Sequence, residues 1–301
     1  MSHMPRFRWI PSMLVAGCLL VTLPWPARGA FSGRNGLLAY SRQVHGVDHV
    51  FVIQPKGTGR RRLTSGRTSD TDAAWSPDGS LIAFTRRYPG TGHRAIFVID
   101  ASGAALRRIT PRSLEAAQPA WAPGGKRLAF ACSRNLPRSA ICVSRLDGTG
   151  LQVLTGSANR NVKPAWSPDG STIAYSHRDA TQRFQVWVMN VNGSNKRQVT
   201  HTKASELVAD WSPDGSRILM TCAIPRNGYE PDLFAVRPDG SNMQRLTHDA
   251  YTTAAAWSPS GGRIAIVRKH HLAMMTASGD AFWQVQGAGT NVLDVDWQRR
   301  P

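Results

Sequence analysis

The sequence predicts an all-β fold, a six-bladed β-propeller of four-stranded antiparallel blades, and three observations predict it. A pentapeptide built on Trp-Ser-Pro-Asp-Gly recurs along the chain, each copy precedes the same kind of apolar triplet, and helical patterning is nearly absent beyond the N-terminus. The full copies begin at Trp75, Trp166 and Trp211, and worn ones begin at Trp121 and Trp257. A sixth Trp, Trp297, stands near the C-terminus, and the successive Trp-to-Trp spacings are 46, 45, 45, 46 and 40 residues. Self-similarity at this period marks a repeat architecture in which each unit is one supersecondary element.

Within a unit, four strands are legible in order. The first ends at the Trp and turns at Pro-Asp-Gly, where Pro presets φ and Gly accepts a positive φ. The second is the triplet itself, as in Ile82-Ala83-Phe84 or Ile173-Ala174-Tyr175. The third is an apolar run such as Ile96 to Ile99 or Val186 to Met189, ending in hairpin dipeptides such as Asp147-Gly148 and Asn192-Gly193. The fourth closes on a shared cadence: Ile109-Thr110, Leu154-Thr155, Val199-Thr200, Leu246-Thr247. A four-stranded antiparallel sheet of this length is a propeller blade, and one blade alone cannot bury both faces, so blades must stack around an axis.

Residues 1–30 read as a secretory signal peptide rather than as part of the fold. Arg6 and Arg8 form a basic start, Met13 to Leu23 is an apolar stretch too short to span a membrane, and Ala27 to Ala30 offers small residues for cleavage. Val15-Ala16-Gly17-Cys18 resembles a lipoprotein signal, but the apolar run continues past Cys18, which favours ordinary cleavage near Ala30 over lipidation. Cleavage removes three arginines and lowers the formal charge from +18 to +15. Residues 31–301 are then expected to form one propeller domain without a transmembrane span, in the periplasm or secreted.

Residues 31–66 carry a blade without its Trp strand: Leu37 to Tyr40 is the second strand, Val50 to Ile53 the third, and Leu63-Thr64 closes the fourth. Asp294-Val295-Asp296-Trp297 is a Trp strand with nothing after it. Joining the two completes a sixth blade and removes the open edges of the array. A competing alignment puts Phe31 in the Trp position and leaves Trp297 as an orphan.

The Trp-Ser-Pro-Asp-Gly copies and their triplets resemble the TolB-like propeller repeat, which also occurs in propellers of dipeptidyl and prolyl oligopeptidases. The resemblance covers essentially residues 31–301. It implies a six-bladed propeller and, by analogy with TolB, a periplasmic partner of an envelope protein. TolB carries an α/β domain before its propeller, and there is no room for one between Ala30 and Leu37, so only the propeller label carries over.

No catalytic signature stands out. A Gly-x-Ser-x-Gly elbow, a His-Glu-x-x-His helix, a phosphate-binding Gly-rich loop and a paired-Cys zinc pattern are all absent from the sequence, and no cofactor is implied. Lys269-His270-His271 with Met274-Met275 is the nearest thing to a soft-metal cluster, but strand alternation should point these neighbours apart, so no metal is assigned. Cys132 ends a second strand and Cys142 sits in the adjoining third strand, so export makes a disulfide between them plausible. Cys222 occupies the site of Cys132 two blades away and is expected to be a free thiol.

Two groups of residues are candidates for function. Loops between second and third strands, together with the links between blades, should share one face of the disc, and that face collects Arg86, Arg87, Arg134 and Arg178 among many other cations and few acids. Such a face favours an acidic protein or an anionic envelope polymer. Nucleic acid is disfavoured by export and by the absence of an aromatic-rich binding motif. The second group lies five and three residues before each Trp, where side chains are expected at the mouth of the axis: Asp70, Asp72, Gln118, Asn161, Lys163, Glu206, Thr252 and Asp294. The favoured reading is a non-enzymatic binding scaffold working through the loop face. The alternative is a polysaccharide lyase or glycosidase using Lys163 and a carboxylate pair such as Asp72 and Glu206.

Overall fold

Each full Trp-Ser-Pro-Asp-Gly copy folds as a turn bonded to itself. Ser76 Oγ donates to Asp78 at 2.5 Å and accepts the Leu81 N–H at 2.9 Å, while Gly79 takes φ of +70° and donates to the Ser76 carbonyl. The copies at Ser167 and Ser212 repeat the same bonds. The worn copy at Ala122 keeps only the backbone pair, and the one at Ser258 keeps its acceptor bond from Arg263 N. The Ser, Asp and Gly of the repeat are thus turn chemistry and need no ligand to explain them.

The fourth-strand cadence has a similar local cause. The outer strands are mostly two residues long, and beyond each the Thr hydroxyl accepts a third-strand N–H: Thr64 from Val50, Thr110 from Ile96, Thr155 from Ile141, Thr200 from Val186 and Thr247 from Leu233, at 2.8 to 3.1 Å. The hydroxyl continues a ladder that the backbone has abandoned.

The computed structural model describes residues 33–133, 138–156, 158–223, 231–248 and 251–300, and the described residues form six four-stranded antiparallel sheets. Blade I is β24 (Val292–Arg300), β1 (Arg34–Val44), β2 (Val47–Ile53) and β3 (Arg61–Arg62). Blade II is β4 (Ser69–Trp75), β5 (Leu81–Arg87), β6 (Arg94–Asp100) and β7 (Arg107–Arg108). Blade III is β8 (Glu115–Trp121), β9 (Arg127–Ser133), β10 (Ala140–Arg145) and β11 (Gln152–Val153). Blade IV is β12 (Asn161–Trp166), β13 (Thr172–Arg178), β14 (Phe184–Asn190) and β15 (Arg197–Gln198). Blade V is β16 (Ser205–Trp211), β17 (Ile218–Ala223), β18 (Pro231–Val236) and β19 (Gln244–Arg245). Blade VI is β20 (Thr252–Trp257), β21 (Arg263–Arg268), β22 (His271–Thr276) and β23 (Phe282–Gln284).

The C-terminal strand closes the ring. Trp297 pairs with Leu38 across β24 and β1, the same register as Trp75 with Ile82 and Trp166 with Ile173 in complete blades. The six Trp residues that end the innermost strands are buried, from 3% to 8% exposed, and each packs into the core between its own blade and the one before it. Trp297 shares its core with Leu272 and Met274 of blade VI, so it behaves as a sixth repeat and not as an orphan. Phe31, the rival candidate, lies outside the described residues.

Candidate functional site

Every innermost strand carries a register shift against its neighbour, and this bulge decides which side chains reach the axis. In β4 the shift falls between Thr71 and Ala74, in β8 between Ala117 and Ala120, and in β12 between Val162 and Ala165. One extra residue inverts the alternation. Asp72, Gln118, Lys163 and Asp294, three before their Trp, line the axis, while Val208 at that position in blade V packs in the core; residues five before each Trp are buried inside the blade. Asp72, Gln118 and Lys163 occupy the bulges with φ of 55°, 60° and 53°, a backbone region that non-glycine residues seldom adopt.

The axial cavity has a volume of about 160 Å³ and is lined by Asp72, Gln118, Lys163, Asp210, Asp294 and Asp296 among mostly apolar residues. Asp294 accepts both the N–H and the hydroxyl of Ser41 at 3.0 Å and the Asp72 N–H at 2.7 Å. Asp72 in turn accepts from Thr85 Oγ1 at 3.0 Å and from Lys163 Nζ at 3.1 Å. Thr85 Oγ1 accepts the Gln118 N–H, and Gln118 Oε1 accepts the Lys163 N–H. The result is a relay from blade to blade in which the N–H freed by the bulges of blades II, III and IV finds a partner on the preceding blade. Ala131, which stands where Thr85 does, has no hydroxyl, and Gln118 supplies the missing acceptor.

Asp210 and Asp296, one residue before their Trp, escaped the sequence reading. Asp296 accepts the Trp75 N–H at 2.6 Å and Asp210 accepts the Trp257 N–H at 2.8 Å, each from the next blade. Burial, then the charge of Asp296, pushes Asp210 up to about 8; burial foremost pushes Asp294 and Asp296 to about 6. Alternation from the Trp would have found them, because the residue before a buried Trp points the other way. Alanine holds that position in the other four blades.

The remaining axial candidates are displaced. Asp70 is wholly buried and forms a two-point pair with Arg86 at 2.7 and 2.8 Å. Asn161 is pinned to the carbonyls of Ser139 and Gly156 and to His177 Nδ1. Glu206 is 0% exposed, accepts from Thr200 and Thr202, and does not line the cavity, so the proposed Asp72–Glu206 carboxylate pair does not exist across the axis. Thr252 is buried too. In each case the bulge turns the side chain into the blade. The Lys163–Asp72 pair, with side chains 33% and 20% exposed, is what the cavity offers to a small polar ligand.

The loop face keeps most but not all of its expected cations. Arg86 is corrected: its side chain is 11% exposed, paired with Asp70 and laid over the Phe84 and Phe97 rings, so it is a structural residue. Arg87 is exposed, Arg178 is half-buried, and Arg134 lies outside the described residues. Arg67, Arg112, Arg138, Arg183, Lys203 and Lys269 are also exposed there. Most acids of the face are occupied: Glu115 binds His93 and Arg94, and Asp232 binds Arg245. The opposite face carries the turn acids Asp78, Asp100, Asp147, Asp169, Asp214 and Asp239 among its cations.

Cys132 and Cys142 are joined by a disulfide with Cα atoms 5.9 Å apart, and Cys222 is free and buried, its thiol pushed up to about 12 mainly by burial. Among the described residues no group of three or more His, Cys, Asp or Glu converges as a metal site. Lys269 and His270 form the turn between β21 and β22, while Met274 and Met275 enter the cores on opposite sides of blade VI.

A family model described as the TolB beta propeller domain matches residues 27–183, just over half the chain. The chain belongs to the TolB beta-propeller family. A second model, the Tricorn protease N-terminal beta propeller domain, matches residues 139–278 of this TolB-like propeller. No curated protein matches it in sequence. Among solved structures it is similar to TolB from Acinetobacter baumannii, at 20% identity over 90% of this chain and 68% of that one, with a TM-score of 0.74. It is also similar to a chain of a nidogen/laminin complex, at 13% identity, 87% and 98% coverage and a TM-score of 0.70. An oligogalacturonate lyase in complex with manganese shares 16% identity over 86% and 77%, with a TM-score of 0.59. At these identities the likeness establishes the fold and leaves activity open.

Proposed function

We propose that this TolB-like propeller is exported and works by binding an acidic protein partner through its loop face, without turnover. The observation that carries the reading is the contrast between the faces: exposed Arg and Lys with few unoccupied acids on one, cations interleaved with turn acids on the other. Three features support it. The axial carboxylates spend their oxygens on backbone N–H groups of neighbouring blades, which is ring architecture more than acid–base equipment. Residues 1–30 have the pattern of an export signal, and among the described residues no helix is long and apolar enough to cross a membrane. A similar propeller occurs in a nidogen/laminin complex. An anionic envelope polymer would engage the same cations.

The test is capture from the native envelope by immobilised protein at low and raised salt. Reversing Arg67, Arg87, Arg112 and Lys203 to Glu is expected to weaken capture at least tenfold with little change in melting temperature, because exposed charges contribute little stability. Reversing Lys56, Lys126 and Lys196 on the opposite face is the control. Equal loss from both sets removes the face assignment. Cleavage of an envelope polysaccharide that disappears in Asp72→Asn would replace binding with the enzymatic alternative.

A further inference from the structure

A groove of about 250 Å³ opens on the loop face where blades II, III and IV meet, and its lining includes Arg94, Glu115, Ser139 and Arg160. Arg160 is held from two sides. It forms a parallel bridge to Ser139 of blade III, its carbonyl accepts the Arg178 N–H at 2.9 Å, and the adjacent Asn161 ties its own N–H and side-chain amide to the Ser139 carbonyl. Its guanidinium, by contrast, makes no ion pair among the described residues. Arg160 and Arg178 flank the same ring, each guanidinium 5.9 Å from the centroid of Phe184. Burial, then the like charges of Arg178 and Arg94, hold the Arg160 guanidinium below its ordinary value.

Like charges placed this close repel, yet the disulfide-tied β9–β10 hairpin, through Ser139, and the buried Asn161 hold the Arg160 backbone in place. The one carboxylate in the lining does not relieve them, since Glu115 is taken by His93 Nδ1 at 2.5 Å and by Arg94. Among the described residues the Arg178 guanidinium donates only to the Gln182 carbonyl, at 3.2 Å. Two guanidinium forks with spare donors meet over Phe184, and the Arg160 fork also lines the groove; such a pair matches a planar carboxylate better than a point charge would. The backbone is ordered before anything binds, so less freedom is lost on association.

We infer that the Arg160–Arg178 pair, with Arg94 behind it, is a carboxylate-binding subsite that anchors an acidic side chain of the partner. This rests on the loop-face reading and sharpens it. The experiment is calorimetric titration of the full mature protein with hexaglutamate at low salt, and with inorganic phosphate as a second probe. Arg160→Gln and Arg178→Gln are each expected to weaken hexaglutamate at least tenfold, and Arg160→Lys to recover only part, because it keeps the charge and loses the fork. Arg112→Gln and Lys203→Gln, equally charged and on the same face, should change it less than twofold. Equal weakening by all four variants would mean a diffuse field and overturn the subsite while leaving the face reading intact. Absence of hexaglutamate binding, or an Arg160 effect on phosphate alone, would overturn it as well. Neither Arg160 nor Arg178 is among the residues reversed in the capture experiment, so the two readings fail separately.

Discussion

Asp210 accepts the backbone N–H groups of Trp211 and Trp257 at 2.8 Å and so bridges two blades from the wall of the axial cavity. Its carboxyl, raised by burial and by Asp296 from 3.8 to about 8, keeps its proton in the native state at neutral pH, whereas the unfolded chain loses it. A raised folded-state pKa means stability that is fully present below 3.8 and is lost as pH rises through about 8. Asp294 and Asp296 add the same sign in a lower window that ends near 6. The turn acids Asp78, Asp169 and Asp214 act oppositely. Burial opposes their ionisation, yet the Ser hydroxyls and backbone N–H groups around them hold each below its ordinary value, so their contribution is lost in strong acid. The melting temperature should therefore fall from pH 5 to pH 9. Asp210→Asn should flatten that slope, at roughly 2–4 °C for each kcal/mol of linkage removed. Parallel curves for parent and variant in calorimetry would show that Asp210 does not titrate in this range. Counting back from each Trp was enough to find Asp72, Gln118, Lys163 and Asp294. It misplaced Asp70, Asn161 and Glu206 because a bulge costs one residue of register and nothing in side-chain chemistry announces it.

At the scale of single elements, most of the propeller was legible because its punctuation is chemical. The Ser-Pro-Asp-Gly turn and the closing Thr each make specific hydrogen bonds, so they recur as letters, whereas the bulge is a backbone event that alanine, proline and charged residues all tolerate. The β9–β10 hairpin shows how element geometry constrains chemistry. Ala140 stands opposite Cys132 and Phe130 opposite Cys142, so the two cysteines lie diagonally across adjacent strands and still meet. In the chain-entropy description, closing a loop of this length restricts the unfolded chain by about 3 kcal/mol. Replacing both cysteines by Ser should lower the urea midpoint accordingly. Cys222, buried with its thiol raised to about 12, should resist a thiol reagent until the protein unfolds. Native labelling of one thiol per chain, or a mapped peptide linked through Cys222, would contradict this pairing.

The whole molecule depends on one strand that arrives last. β24 supplies the innermost strand of blade I, and from it Asp294 and Asp296 reach forward to the N–H groups of Asp72 and Trp75 in blade II, while Trp297 packs back against blade VI. One segment thus fastens three blades. Its absence would leave β1 as an open edge with unpaired backbone groups and uncover the apolar side of Leu38, Tyr40 and Val267. Because each blade buries its faces only against its neighbours, loss at one seam is transmitted around the ring instead of being confined to it. Removing residues 292–301 is expected to abolish a single cooperative melt and to promote association. Trp297→Ala, which keeps the strand and its hydrogen bonds, should cost about 3–5 kcal/mol and leave the melt cooperative. The pair of variants separates packing from closure: a truncated protein that melts as one unit at the parent's temperature would show that five blades and an open sheet hold themselves together, and that the seam is dispensable.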